Sequence, residues 1–151
     1  MSIKIISENK KARYDYHIIE TYEAGLVLSG SEVKSLRLNS CSLKDSYIYF
    51  MNEEAYILKM HISVLQASSY NNHEPERKRK LLMNRQELDN LSAKLRERGL
   101  ACVPLKIYFK NGRAKLEIAL VKGKQASDKR ESIKQREANR QVQSRLRHMK
   151  K

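Results

Sequence analysis

Three features of the 151-residue sequence predict a mainly β fold followed by a basic tail. First, Ala101, Val103, Leu105, Ile107 and Phe109 alternate with other residues, Asn111-Gly112 follows, and Ala114, Leu116, Ile118 and Leu120 alternate on the return. That is a β-hairpin closed by a type I′ turn, with one apolar face. Second, residues 43–51 and 55–60 flank the polar Asn52-Glu53-Glu54 and read as another hairpin. Third, residues 122–151 carry eleven Lys and Arg against three Asp and Glu, a net of +8, and leave +6 for the rest of a +14 chain. All five glycines and both prolines lie at or before position 123, so composition changes there.

The other elements follow in chain order. Residues 16–21 (YHIIET) are aromatic and β-branched, as strands are, and residues 26–28 make a second short strand between Gly25 and Gly30. Ser29 and Glu32 have capping-box spacing. A helix over residues 31–38 turns Val33 and Leu36 inward and puts Lys34 and Arg37 on another face. Residues 68–80, which end in Arg77-Lys78-Arg79-Lys80, read as an exposed loop. Asn84 has N-cap chemistry, Leu88, Leu91 and Leu95 form one helical face, and Gly99 ends that helix as a left-handed cap. About six strands with two or three helices spliced between hairpins, each sheet burying one face, favour a small closed OB-like antiparallel barrel. The resulting division is an N-terminal arm (1–8), the OB-like barrel (9–123) and a basic tail (124–151), disordered free and helical when bound.

Composition narrows the function. A net charge of +14 predicts a polyanionic partner. No segment approaches the roughly 20 apolar residues of a membrane span, and the first residues lack the pattern of a secretory signal. Cys41 and Cys102 are too few and too far apart for a disulfide scaffold and suit a reducing cytosol. The four histidines are scattered, neither cysteine has a second ligand at short spacing, and no phosphate-loop motif occurs. The expectation is therefore no enzyme, no metal and no cofactor. Basic clusters carry the positive signal. Lys10, Lys11 and Arg13 interleave with Tyr14 and Tyr16, Arg77 to Lys80 form a second cluster, and Lys122, Lys124, Lys129 and Arg130 a third. Such clusters supply phosphate affinity, and tyrosines stack on unpaired bases.

The blocks NKKARYDYHIIETYEAGLVLSGSEVKSLR, LKDSY, RKLLMNRQELDNL, VPLKIYFKNGRAKLEIALVKGK and DKRESIKQRE, taken in order from about residue 9 to 140, resemble the SsrA-binding protein family, SmpB. The resemblance implies an OB-type barrel with a basic tail that acts in trans-translation, the rescue of stalled bacterial ribosomes. It implies binding to the tRNA-like domain of transfer-messenger RNA, with the tail in the decoding centre and the empty mRNA channel. It further implies a cytoplasmic adaptor, monomeric in the complex, with no membrane partner. Asn9, Glu23 and Leu82 match RNA-contacting positions, and Lys122, Gly123 and Lys124 match a basic hinge. Asp128, Lys129 and Arg130 match the start of the decoding-centre segment. Lys10, Lys11, Arg13, Tyr16, Lys34, Arg37 and Lys80 complete the candidate RNA-binding set. The chain departs from the family at Ser127, where His or Tyr is frequent and could stack, and at Gln125, where a third Lys is common. Another OB-type RNA-binding translation factor is the alternative; its single-strand-binding form would place aromatics along strand faces, and this chain has two Phe and no Trp.

Overall fold

The computed structural model describes residues 3–64 and 73–123. In chain order the elements are β1 (Ile3–Glu8), α1 (Lys10–Asp15), β2 (Tyr16–Leu26), α2 (Gly30–Arg37), β3 (Cys41–Ser42), β4 (Tyr47–Met51) and β5 (Glu54–Leu58). They continue as β6 (His61–Ile62), β7 (Arg79–Leu82), α3 (Arg85–Lys94), β8 (Leu100–Lys110) and β9 (Arg113–Gly123). Seven strands form one antiparallel sheet in the order β1-β8-β9-β2-β7-β5-β4, and β3 pairs with β6 separately.

The hairpins follow their turn chemistry. Asn111 and Gly112 have φ of 51° and 78°, the type I′ signature that matches strand twist. Asn52 and Glu53, at φ of 52° and 64°, turn β4 into β5 in the same way. The expected strand over residues 43–51 is shorter: Asp45 has a φ of 61°, and this turn separates β3 from β4. The strand expected at 16–21 runs on without a break to Leu26 as β2, and residues 27–28, expected in a second strand, lie outside it. Gly25 does not break it. A Cβ there would lie 3.3 Å from Leu82 Cβ, so the glycine lets β7 pair closely.

The perfect alternation of β8 is interrupted. A β-bulge between Pro104 and Lys106 shifts the register against β9. Ile107 therefore joins the main core, with Leu116 and Ile118. Val103 and Leu105 face the other way, into a small cluster with Ala12, Ala119 and Val121. Because α1 covers that side, this half of the hairpin is buried on both faces rather than one.

Helix α2 carries the complete capping box expected of Ser29 and Glu32. Leu36 is buried there, Val33 is half-buried, and Lys34 and Arg37 are exposed. In α3, Leu88 and Leu91 are buried and Leu95 half-buried. The Asn84 side chain makes no capping hydrogen bond. The helix stops at Lys94 with Leu95 as its cap, so Gly99, at φ 83°, turns the chain into β8 instead of capping α3. Four strands were absent from the sequence reading: β1, β7, and the short β3 and β6 that pair with each other. Residues 3–8 pair with β8 as an edge strand, and residues 79–82 of the basic run form β7.

Hydrogen bonding does not close the sheet into the expected barrel. Its edges are β1 and β4. Strand β4 packs near β8 without pairing to it. The cause lies at the seam. Strand β1 pairs only with residues 106–110 of β8, and α1 follows it across the gap, fixed by the Asn9 amide donating to the Leu105 carbonyl at 2.7 Å.

Candidate nucleic-acid interface

The structure gathers the candidate residues into two adjoining groups. The first surrounds α1. Asn9 caps that helix: its Oδ1 accepts from the Ala12 amide at 3.3 Å, and its Nδ2 donates to the Pro104 carbonyl at 3.0 Å. Its first role is thus to fix α1 on β8, and any RNA contact uses what hydrogen-bonding capacity remains. Lys10, Lys11 and Arg13 are exposed on the helix so fixed. The Tyr16 ring is half-buried against the small cluster under α1. Tyr16 pairs with Gly123 and His17 with Lys122, so the start of the basic hinge lies beside the α1 cluster.

The second group occupies the outer face of the sheet. Alternation along β2 puts Glu23 and Gly25 on one side, and Gly25 pairs with Leu82 on β7 and with Lys115 on β9. Leu82 is exposed, an apolar contact surface among charges. Glu23 accepts from the Tyr108 hydroxyl and lies 3.4 Å from Lys110 Nζ. These hydrogen bonds, with Tyr108 contributing most, hold its carboxyl below the usual range. Burial first, and the bond to Glu23 second, push the Tyr108 hydroxyl well above its ordinary value, so it stays a donor. Glu23 is therefore an oriented anion that can accept from base amino groups.

Lys106 joins the two groups. With Lys10 and Arg13 it lines a hollow of about 120 Å³, bordered by Glu8 and Leu105. Three cations around one hollow suit a phosphate. Sequence reasoning missed Lys106, Tyr108, Lys110 and Lys115, although all four sit between the apolar positions of the recognised hairpin. That alternation was the available signal. Helix α2 packs on β6, so Lys34 and Arg37 lie outside both groups.

The basic run of residues 77–80 divides. Arg79 is fully buried and donates to Glu32, to the Met60 carbonyl at 2.6 Å and to the Pro75 carbonyl at 3.0 Å. Arg77 reaches Glu32 Oε1 at 2.6 Å. Both arginines hold the fold. Lys78, 4.8 Å from the Tyr56 ring centroid, and Lys80, 4.0 Å from Glu54, remain near the surface, and the Arg77 side chain is as exposed as that of Lys80. Lys124, Asp128, Lys129, Arg130 and Ser127 lie outside the described residues.

Among the described residues no group of three or more His, Cys, Asp or Glu could hold a metal ion. Burial pushes the Cys41 thiol up to about 12 and the Cys102 thiol the same way, so neither is a ready nucleophile. No helix among the described residues is long and apolar enough to cross a membrane.

Replacing Lys10 and Lys106 together by Ala is expected to flatten the plot of log K against log salt by about 1.5 for RNA, because each phosphate contact contributes about 0.7–0.9 to the slope. Affinity titrations across a salt series check this, and an unchanged slope would remove the hollow from the interface.

Known proteins resemble this chain in sequence and in fold. The model of the SmpB protein family matches residues 6–148. The SsrA-binding protein of Bdellovibrio bacteriovorus is 65% identical over 146 residues, which span 97% of this chain and 96% of the relative. That of Pelotomaculum thermopropionicum is 51% identical over 142 residues, spanning 94% and 93%. A solved chain from the study "tmRNA-SmpB: a journey to the center of the bacterial ribosome" superposes with a TM-score of 0.70 at 44% identity, covering 84% of this chain and 93% of that one. With the family model matched along nearly its whole length and relatives above half identity, this chain belongs to the SmpB protein family.

Proposed function

We propose that this chain is an RNA-binding adaptor, not a catalyst. It binds the tRNA-like domain of transfer-messenger RNA and delivers it to stalled ribosomes for trans-translation. The relatives are named for binding SsrA, and the solved neighbour is described with tmRNA and the bacterial ribosome. The observation that carries the reading on this chain is the outer sheet face. There Glu23, held by Tyr108 and Lys110, and the exposed Leu82 lie on one surface, beside a hollow of three cations. Carboxylate and apolar group recognise base edges, while the cations hold backbone. The return of β4 towards β8 supports an OB-type barrel left open at one seam. Residues 9–123 act in this reading as the RNA-binding body. Asn9, Lys10, Lys11, Arg13 and Tyr16 supply one side of its surface, and Glu23, Lys80 and Leu82 the other. Lys122, Gly123 and Lys124 form a basic hinge, and the tail from 124, through Asp128, Lys129 and Arg130, enters the decoding centre and message channel.

Capture of RNA on the tagged full chain in a bacterial extract, followed by sequencing, tests the proposal. Transfer-messenger RNA should dominate the recovered reads over its share of the input. Recovery in proportion to input abundance would sink the adaptor reading and favour a general RNA binder.

A further inference from the structure

The seam between β4 and β8 contains a cleft of about 670 Å³. One wall is α1 with Lys11 and Asp15, another is β4 with Tyr47 and Tyr49, and residues 100–103 of β8 complete it. Clefts of this volume suit small planar ligands. Tyr47 and Tyr49 flank the buried Ile48 along β4 and so share the outer side of the strand, 38% and 50% exposed. Two aromatic rings left in water beside a concave volume are a stacking wall. At the rim, Lys11 Nζ lies 4.0 Å from Asp45, with both side chains about two-thirds exposed at 62% and 67%. So loose a pair gives way readily to a phosphate at Lys11.

We propose that this cleft binds one unpaired nucleobase of the RNA. The base stacks on Tyr49, its phosphate sits at Lys11, and Asp45 or Asp15 accepts from its exocyclic amino group. The net charge of +14 selects a polyanion, and Lys11 continues the basic α1 group, so the cleft extends the surface described above. The stacking wall selects a base with a free face, which a paired base lacks. Adenine, cytosine and guanine carry the amino group that Asp45 and Asp15 can accept from, and uracil does not. The inference rests on the RNA-binding reading but adds a site to it: Tyr47, Tyr49 and Asp45 belong to neither group above. The rival occupant is a peptide strand adding to the free edge of β4.

The chain contains no Trp, so the full-length Tyr49→Trp variant carries a single indole reporter. It should bind transfer-messenger RNA with its emission quenched on binding. Oligo(A) should quench it more than oligo(U). Tyr49→Ala should keep a cooperative melt and lose roughly 5- to 100-fold in RNA affinity, the range for one stacked base. Its salt slope should not change, because no phosphate contact is removed. Saturable binding with no quenching overturns the site and leaves the adaptor reading standing. It also leaves the β4 edge to a peptide. Failure of wild type itself to bind transfer-messenger RNA overturns both.

Discussion

Arg79→Ala is expected to destabilise the protein by about 3–5 kcal/mol, because it removes the fully buried partner of the Glu32 carboxylate and leaves only the partly exposed Arg77 beside it. Arg79 ties together α2 through Glu32, the β5–β6 connection through the Met60 carbonyl, and the segment before β7 through the Pro75 carbonyl. No single substitute restores three such partners. The same pair makes the fold acid-sensitive. Burial alone would raise the Glu32 carboxyl above its usual 4.5, but hydrogen bonds from Arg77, the Ser29 amide and Arg79 outweigh it and bring the group to about 2. A carboxyl depressed in the folded state contributes stability that is complete above 4.5 and is lost as pH falls towards 2. The contribution is on the order of 3 kcal/mol. Urea denaturation at neutral pH and across the acid range checks both statements. Wild type should lose stability steeply below pH 4.5, whereas Glu32→Gln should start lower and lose less over that interval. Parallel curves for the two proteins would show that Glu32 is not the acid-sensitive group.

That pair also marks how far the sequence could be read. Local signals sufficed where period and turn chemistry agree. The pairing of β8 with β9 through Asn111-Gly112, the pairing of β4 with β5 and the Ser29–Glu32 capping box stand as expected, while the 43–51 strand is shorter and half of the β8–β9 hairpin is buried on both faces. Long-range features were hidden. Arg79 reads as one of four consecutive cations, and its partner Glu32 is 47 residues away and already accounted for by the capping box. Strand β7 was masked by the same run, because its inward position is filled by an arginine. The bulge at Pro104 to Lys106 leaves the apolar alternation intact in sequence while reversing the faces in space. At the interface Lys10, Lys11 and Arg13 stand exposed on α1, whereas Tyr16, read from sequence as a stacking residue, is half-buried beneath it and pairs with Gly123. Glu23 and Leu82 came only through family resemblance, since a lone acid and a lone leucine carry no local signature. Their meeting on one face depends on Gly25 admitting β7.

Changing Asp128, Lys129 and Arg130 together to Ala is expected to abolish peptide tagging on stalled ribosomes and to leave transfer-messenger RNA binding nearly intact. The change removes two cations and one anion from a chain of +14, a shift of only one charge. A shift that small does not act through bulk attraction. On the proposed function it removes hydrogen bonds to the decoding centre, each charge-assisted one contributing about 1.5–3 kcal/mol. A helix started in this segment would also lose the acid that favours its N-terminus. The proposed RNA-contacting groups of the body, from Lys10 and Lys106 to Glu23 and Leu82, are untouched.

The separation of a body that binds from a tail that rescues is the centre of the account. Its most direct test is one reconstituted reaction on ribosomes stalled by truncated message, with tagging rate and transfer-messenger RNA affinity measured side by side for wild type and the triple variant. The account predicts that affinity holds and tagging is lost. Tagging at the full rate, or an affinity that falls in step with tagging, would contradict it.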